Sequence, residues 1–117
     1  MHDFKKLNVW QEAMDLTVEI YKITSRFPSS EKFNLVSQMN RSAVSIVSNI
    51  AEGSGRKTKG EFGQFLGFAS GSCKELETQL ILSQRLDFIK QDEFDLLERQ
   101  LHAIQKMLVS LSRSISP

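Results

Sequence analysis

The chain is 117 residues long, enough for one domain that buries a single core without metals or disulfides. Its 40% hydrophobic and 25% charged residues, with only two prolines, match an ordinary globular chain and exclude a disordered or fibrous one. A net charge of +1 argues against a monomer that binds nucleic acid by bulk charge, and a lone cysteine, Cys73, excludes an intrachain disulfide and a four-cysteine zinc site.

The N-terminal MHDFKKLNVW lacks the apolar run of a secretory signal. No apolar stretch approaches the ~18 residues of a membrane span, so a cytoplasmic chain away from membranes is expected. Charge is unevenly distributed. Residues 32–60 hold five bases (Lys32, Arg41, Arg56, Lys57, Lys59) against the single acid Glu52, a local +4. Residues 61–98 hold eight acids against three bases, a local −5. A symmetric assembly could gather the basic parts in one place.

Hydrophobic spacing predicts four helices, at about 8–27, 30–53, 59–87 and 91–115, within one domain covering residues 1–117. In the first, Val9, Ala13, Leu16, Ile20, Ile23 and Phe27 recur in steps of four and three. Asn8 with Gln11 reads as a capping-box start, and Pro28 as the stop. In the second, Val36, Met39, Ala43, Ile46 and Ile50 repeat the pattern after a cap at Ser29 or Ser30. Gly53 and Gly55 read as its end, glycine being the usual left-handed residue there. Val44, Val47 and Ala51 form an additional apolar row beside this seam.

Thr58 and Glu61 form a T-x-x-E signature that opens the third helix, whose seam runs through Phe62, Phe65, Leu66, Ala69, Cys73, Leu76 and Leu80. Interior glycines cost a helix ~1 kcal/mol each relative to alanine, so Gly63, Gly67 and Gly71 need a reason. Close packing supplies one, either inside the bundle or against another subunit. The fourth helix carries Phe94, Leu97, Leu101, Ile104, Leu108, Leu111 and Ile115 without a slip in register. No segment reads as a strand. The fold class expected is all-α, an antiparallel up-down-up-down four-helix bundle.

Chemistry-bearing motifs are missing from this pattern. Neither His2 nor His102 follows a glutamate by three positions, so the paired Glu-x-x-His ligands of a di-iron bundle are absent. Glu98 and His102 share a helix face but form one pair only, which reads as a surface hydrogen bond. Cys73 falls on a core seam, and no nucleotide-binding or hydrolase motif occurs. No metal, cofactor or enzymatic activity is expected. A polar stripe of Gln38, Arg41, Ser45, Asn49 and Glu52 follows the second helix. It reads either as a solvated face or as a network between helices or subunits, with Gln38, Asn49 and Glu52 as its hydrogen-bonding members.

VWQEAMDLTVEIYKITSRFP, then QMNRSAVSIVSNIAEGSGR, then EFGQFLGFASGSCKELETQL, together resemble the bacterial 23S rRNA intervening-sequence proteins. The likeness runs from about Phe4 to Phe88; the fourth helix matches only as a heptad pattern. Where relatives often carry two arginines before the serine–alanine stretch, this chain has Asn40 and Arg41, half the basic charge. The resemblance implies a four-helix bundle in a ring-like homo-oligomer, a pentamer, with no catalytic residues. Some relatives resemble the accessory protein of diversity-generating retroelements, which binds a reverse transcriptase and nucleic acid through a basic surface.

Two functions follow as expectations. One is an oligomeric adaptor that touches RNA or DNA backbone through Arg41, Arg56, Lys57 and Lys59. The other is a protein-interaction module whose acidic 61–98 region docks a basic partner such as a reverse transcriptase or ribosomal protein.

Overall fold

The computed structural model describes residues 3–116, and among them every regular element is helical. Asp3 opens a short 3-10 turn, Phe4–Lys6, by accepting a hydrogen bond from the Lys5 amide at 3.1 Å. Helix α1 (Asn8–Thr24) follows, with Leu7 in the cap position. Asn8 lies inside the helix, and Gln11 Nε2 donates back to the Lys5 carbonyl at 2.8 Å. The glutamine thus ties α1 to the preceding turn where a capping box was expected. The helix ends three residues before the predicted Phe27. Its continuation tightens into i→i−3 bonds, Arg26 to Ile23 and Phe27 to Thr24, because Pro28 keeps its predecessor out of helical geometry. Phe27 is nevertheless buried and packs its ring 5.3 Å from that of Phe88.

Helix α2 (Leu35–Ser54) begins later than the predicted position 30. Ser29 and Ser30 cap nothing; they lie in a 3-10 turn, Ser29–Glu31, that follows Pro28. Asn34, at φ −117° and ψ −104°, separates that turn from the helix. At the other end α2 runs through Gly53. Gly55 caps it at φ −88°, and no described glycine takes a positive φ.

Space, not backbone conformation, accounts for Gly53. A Cβ there would lie 2.7 Å from Phe65 Cβ and 3.0 Å from Phe62 Cδ1. The next helix therefore crosses Gly53 closer than any side chain allows.

Helix α3 (Lys59–Arg85) starts as predicted, with Thr58 Oγ1 accepting the Glu61 amide at 3.1 Å. Its end is a Schellman-type turn: Asp87 takes φ 61° and the Phe88 amide donates to the Ser83 carbonyl at 2.9 Å. Helix α4 (Gln91–Ile115) has the predicted bounds. Glu93 accepts the Lys90 amide at 3.0 Å and pairs with Arg26 from the end of α1.

Each helix packs on its chain neighbours and α1 closes on α4, while among the described residues neither diagonal pair of helices brings Cα atoms within 8 Å. Leu16, Ile20, Met39, Ile46, Ile50, Leu66, Leu76, Leu80, Leu101 and Ile104 are essentially inaccessible and fill the centre. Every predicted seam residue is buried or half-buried. Among the described residues, no helix is long and apolar enough to cross a membrane.

Gly63, Gly67 and Gly71 differ from Gly53, since nothing lies within 4 Å of where their Cβ atoms would sit. Within one chain they are not close-packed. Gly53→Ala should therefore destabilise by about 1–3 kcal/mol through overpacking. Gly67→Ala should stabilise an isolated chain by up to ~1 kcal/mol through helix propensity. Chemical denaturation of both variants checks the contrast.

Glu93 supplies a pH dependence. Its carboxyl is held below the ordinary value of 4.5, first by the hydrogen bond from the Lys90 amide and then by Arg26. A depressed folded value means this stabilisation is complete above 4.5 and is lost as pH falls through the lower folded value. Glu93→Gln should flatten stability between pH 5 and 3 relative to the parent chain, as thermal melts across that range would read.

Candidate nucleic-acid interface

The turn between α2 and α3 is held from both sides. Gly55 and Arg56 donate backbone hydrogen bonds to Glu52 and Gly53 at 3.2 and 3.0 Å, so the chain leaves α2 in a tight coil. Thr58 and Glu61 then lock the start of α3 through the amide bond and a second contact, Thr58 Oγ1 to Glu61 Oε1, at 3.1 Å. Arg56 is drawn inward. Its guanidinium lies 4.6 Å from the centre of the Phe65 ring and 3.4 Å from Glu52 Oε2. Phe65 in turn meets Phe68 edge to face at 5.6 Å. Lys57 and Lys59 are exposed and form no ion pair with any described residue.

Arg41 is not part of this cluster. It sits on α2, 15 residues before Arg56 in sequence and about 20 Å along the axis from the helix's last residue, Ser54. It is exposed, again without an ion-pair partner, and lies between two depressions. One is a groove of about 800 Å³ where Lys32, Tyr21, Phe33, Val36 and Val44 join Arg41. Phe33 is 85% exposed and carries the Lys32 ammonium 5.5 Å from its ring centre. An exposed aromatic beside two cations is the kind of surface on which bases stack. Sequence spacing passed over Phe33 because it falls outside the α2 seam; its place between Lys32 and Asn34, off that seam, was the available signal.

The second depression is polar, about 290 Å³, where Gln38 and Arg41 face Ser72, Glu75 and Gln79 of α3. Here the polar stripe meets the neighbouring helix. Asn49 Nδ2 donates to the Ser45 carbonyl at 2.8 Å and to Ser45 Oγ at 3.0 Å, and Ser45 Oγ meets Ser72 Oγ at 2.8 Å. The bridge between α2 and α3 is thus Asn49–Ser45–Ser72. Gln38 and Glu52 are exposed, and Glu52 serves Arg56 one turn on. The serine partners complete the network, and Ser72 became visible only once α3 was placed.

Residues 5–110 match the profile of the 23S rRNA-intervening sequence proteins. The chain belongs to that family. Among solved structures, a protein of unknown function from the S23 ribosomal protein family of Bacteroides thetaiotaomicron VPI-5482 superposes with a TM-score of 0.83 at 24% identity. The likeness covers 90% of this chain and 95% of that one, which at such identity speaks for the fold. No curated protein matches the sequence. This intervening-sequence family member therefore shares a fold with a protein whose own function is unknown.

Cys73 lies on the seam of α3 and is fully buried. Burial pushes its thiol up to about 12, outweighing the nearby Lys74 charge, so little thiolate forms near neutral pH. Native protein at pH 8 should resist iodoacetamide, whereas the unfolded chain should alkylate within minutes. Rapid native labelling, read by intact mass, would contradict this burial.

Proposed function

We propose that the chain acts as a non-enzymatic, cytoplasmic adaptor whose oligomer associates with nucleic-acid backbone, RNA or DNA. The observation that carries this reading is the 55–59 turn: capping and Arg56 stacking hold the backbone, while Lys57 and Lys59 face solvent unpaired. Such charges act as phosphate contacts and carry no base readout. Arg41 and Lys32, with Phe33 and Tyr21 between them, supply a second positive surface about 20 Å away along α2.

The bundle is read as antiparallel, up-down-up-down. Three pairings support this: Arg26 with Glu93, Ser45 with Ser72, and Thr24 with Asn40. Each joins positions that an antiparallel neighbour would bring level. A ring-like homo-oligomer, a pentamer by family resemblance, accounts for what one chain leaves open. A Cβ at Gly63, Gly67 or Gly71 would meet nothing within 4 Å in the chain, so a second subunit packed on that side would give these glycines the reason their helix cost requires. Repeating the basic turn around a ring builds a patch that a monomer of net charge +1 lacks.

A second reading rests on a different surface. Leu82, Leu86 and Leu96 are about half-exposed at the α3–α4 turn, among Asp87, Asp92 and Asp95. Exposed leucines in a stretch where Asp87, Asp92, Glu93 and Asp95 outnumber Arg85 and Lys90 favour a basic protein partner such as a reverse transcriptase or ribosomal protein.

The two are separated by one variant. Replacing Arg56, Lys57 and Lys59 by glutamine should weaken binding to labelled RNA or DNA by roughly tenfold or more. It should also lower the salt slope, log Kobs against log salt, by about 2–3 per engaged subunit. Protein docking through α3 and α4 would be spared. Nucleic-acid binding that survives the triple change would move the site away from this turn.

A further inference from the structure

On the face where α3 meets α4, far from the basic turn in sequence, three metal-type donors converge. Glu98 and His102 are one helical turn apart on α4, and Glu77 reaches across from α3. One donor atom from each lies within 4.8 Å of the other two. His102 Nε2 and Glu77 Oε2 are 2.7 Å apart, an ordinary hydrogen bond that accounts for those two residues. It does not account for Glu98, which forms no ion pair with any described residue although it is half-buried. No lysine or arginine pairs with Glu77 either. Two half-buried carboxylates thus stand close to each other and to one imidazole, an excess of negative charge that a cation would neutralise.

We propose that Glu77, Glu98 and His102 form a binding site for a divalent transition-metal cation that staples α3 to α4. The donor set decides the class of ion. One imidazole nitrogen with two carboxylate oxygens suits zinc and its first-row neighbours, whereas magnesium and calcium prefer oxygen alone. The distances agree. Donors at 2.0–2.2 Å around a tetrahedral ion stand ~3.4 Å apart. His102 Nε2 and Glu77 Oε2 need to open by about 0.7 Å and the third donor to close by at most about 1.4 Å, changes within reach of side-chain torsions. The His102 side chain remains 48% exposed and borders a cleft of about 590 Å³ with Gln105 and Lys106. Solvent therefore reaches the imidazole. Sequence spacing showed only the Glu98–His102 pair; the third ligand lies 21 residues earlier and arrives through helix packing.

The test uses the full chain without a histidine tag and zinc chloride alone, by isothermal titration and thermal melting, with magnesium chloride as the control. The expected result is saturable binding of one zinc per chain and a Tm rise of about 10 °C at a hundredfold excess over Kd. Magnesium should leave Tm unchanged. Glu98→Gln preserves the His102–Glu77 hydrogen bond, so it should fold normally and still lose roughly 100-fold or more in zinc affinity; His102→Ala should abolish binding. Absence of saturable zinc binding, or affinity unchanged in Glu98→Gln, overturns the proposal. Either result leaves the nucleic-acid reading standing, because the basic turn shares no residue with this site.

Discussion

The contact on which the structure depends is the crossing of α2 and α3 at Gly53. Phe62 and Phe65 occupy the space a side chain would need, so the two helices approach nearly backbone to ring. That closeness brings Ser45 and Ser72 within hydrogen-bond range farther along the pair. It also lets Phe65 stand over the C-terminus of α2, where it receives Arg56. A larger residue at position 53 would push α3 outward and disturb the serine bridge and the turn together.

The same contact explains why a basic turn can be a defined surface in a chain of nearly neutral charge. Loops with several like charges usually sample many conformations. Here the α2 C-terminus, the Thr58 cap and the Arg56–Phe65 stack restrict the turn on both sides. One of its three cations is used for that restriction, and two are left to solvent. Arg56 is thus held by Phe65 and Glu52 while the two lysines stay exposed, and this division is a consequence of packing, not of charge count.

Polarity is distributed along the bundle by helix. Arg41 on α2, with Lys32, Arg56, Lys57 and Lys59 around its ends, makes that stretch net basic, whereas Glu75, Glu77, Asp92, Glu93, Asp95 and Glu98 gather on the later part of α3 and the first half of α4. On that acidic side, Arg26 from the end of α1 neutralises Glu93, and His102 meets Glu77. Glu98 has no ion-pair partner among the described residues. The two regions therefore carry local charge of opposite sign although the chain as a whole is nearly neutral.

Much of this was legible in the sequence. The seam residues of all four helices, the Thr58–Glu61 start of α3 and both ends of α4 follow from periodicity and capping chemistry, which act over three or four residues. Errors gathered where a local signal has a competitor. Asn8 was passed over as a cap because Gln11 found the Lys5 carbonyl, and Ser29 and Ser30 joined a turn that Pro28 initiates. Gly53 was read as a left-handed stop, although its purpose is clearance for a phenylalanine on another helix. Likewise Ser72 as partner of Ser45 and Glu77 as neighbour of His102 carry no signature in one dimension. By itself the sequence determined which faces are apolar and where α1, α3 and α4 begin, because those depend on neighbours along the chain. Only the tertiary structure decided which polar groups meet, because side chains dozens of residues apart come together through the angle and distance at which the helices pack.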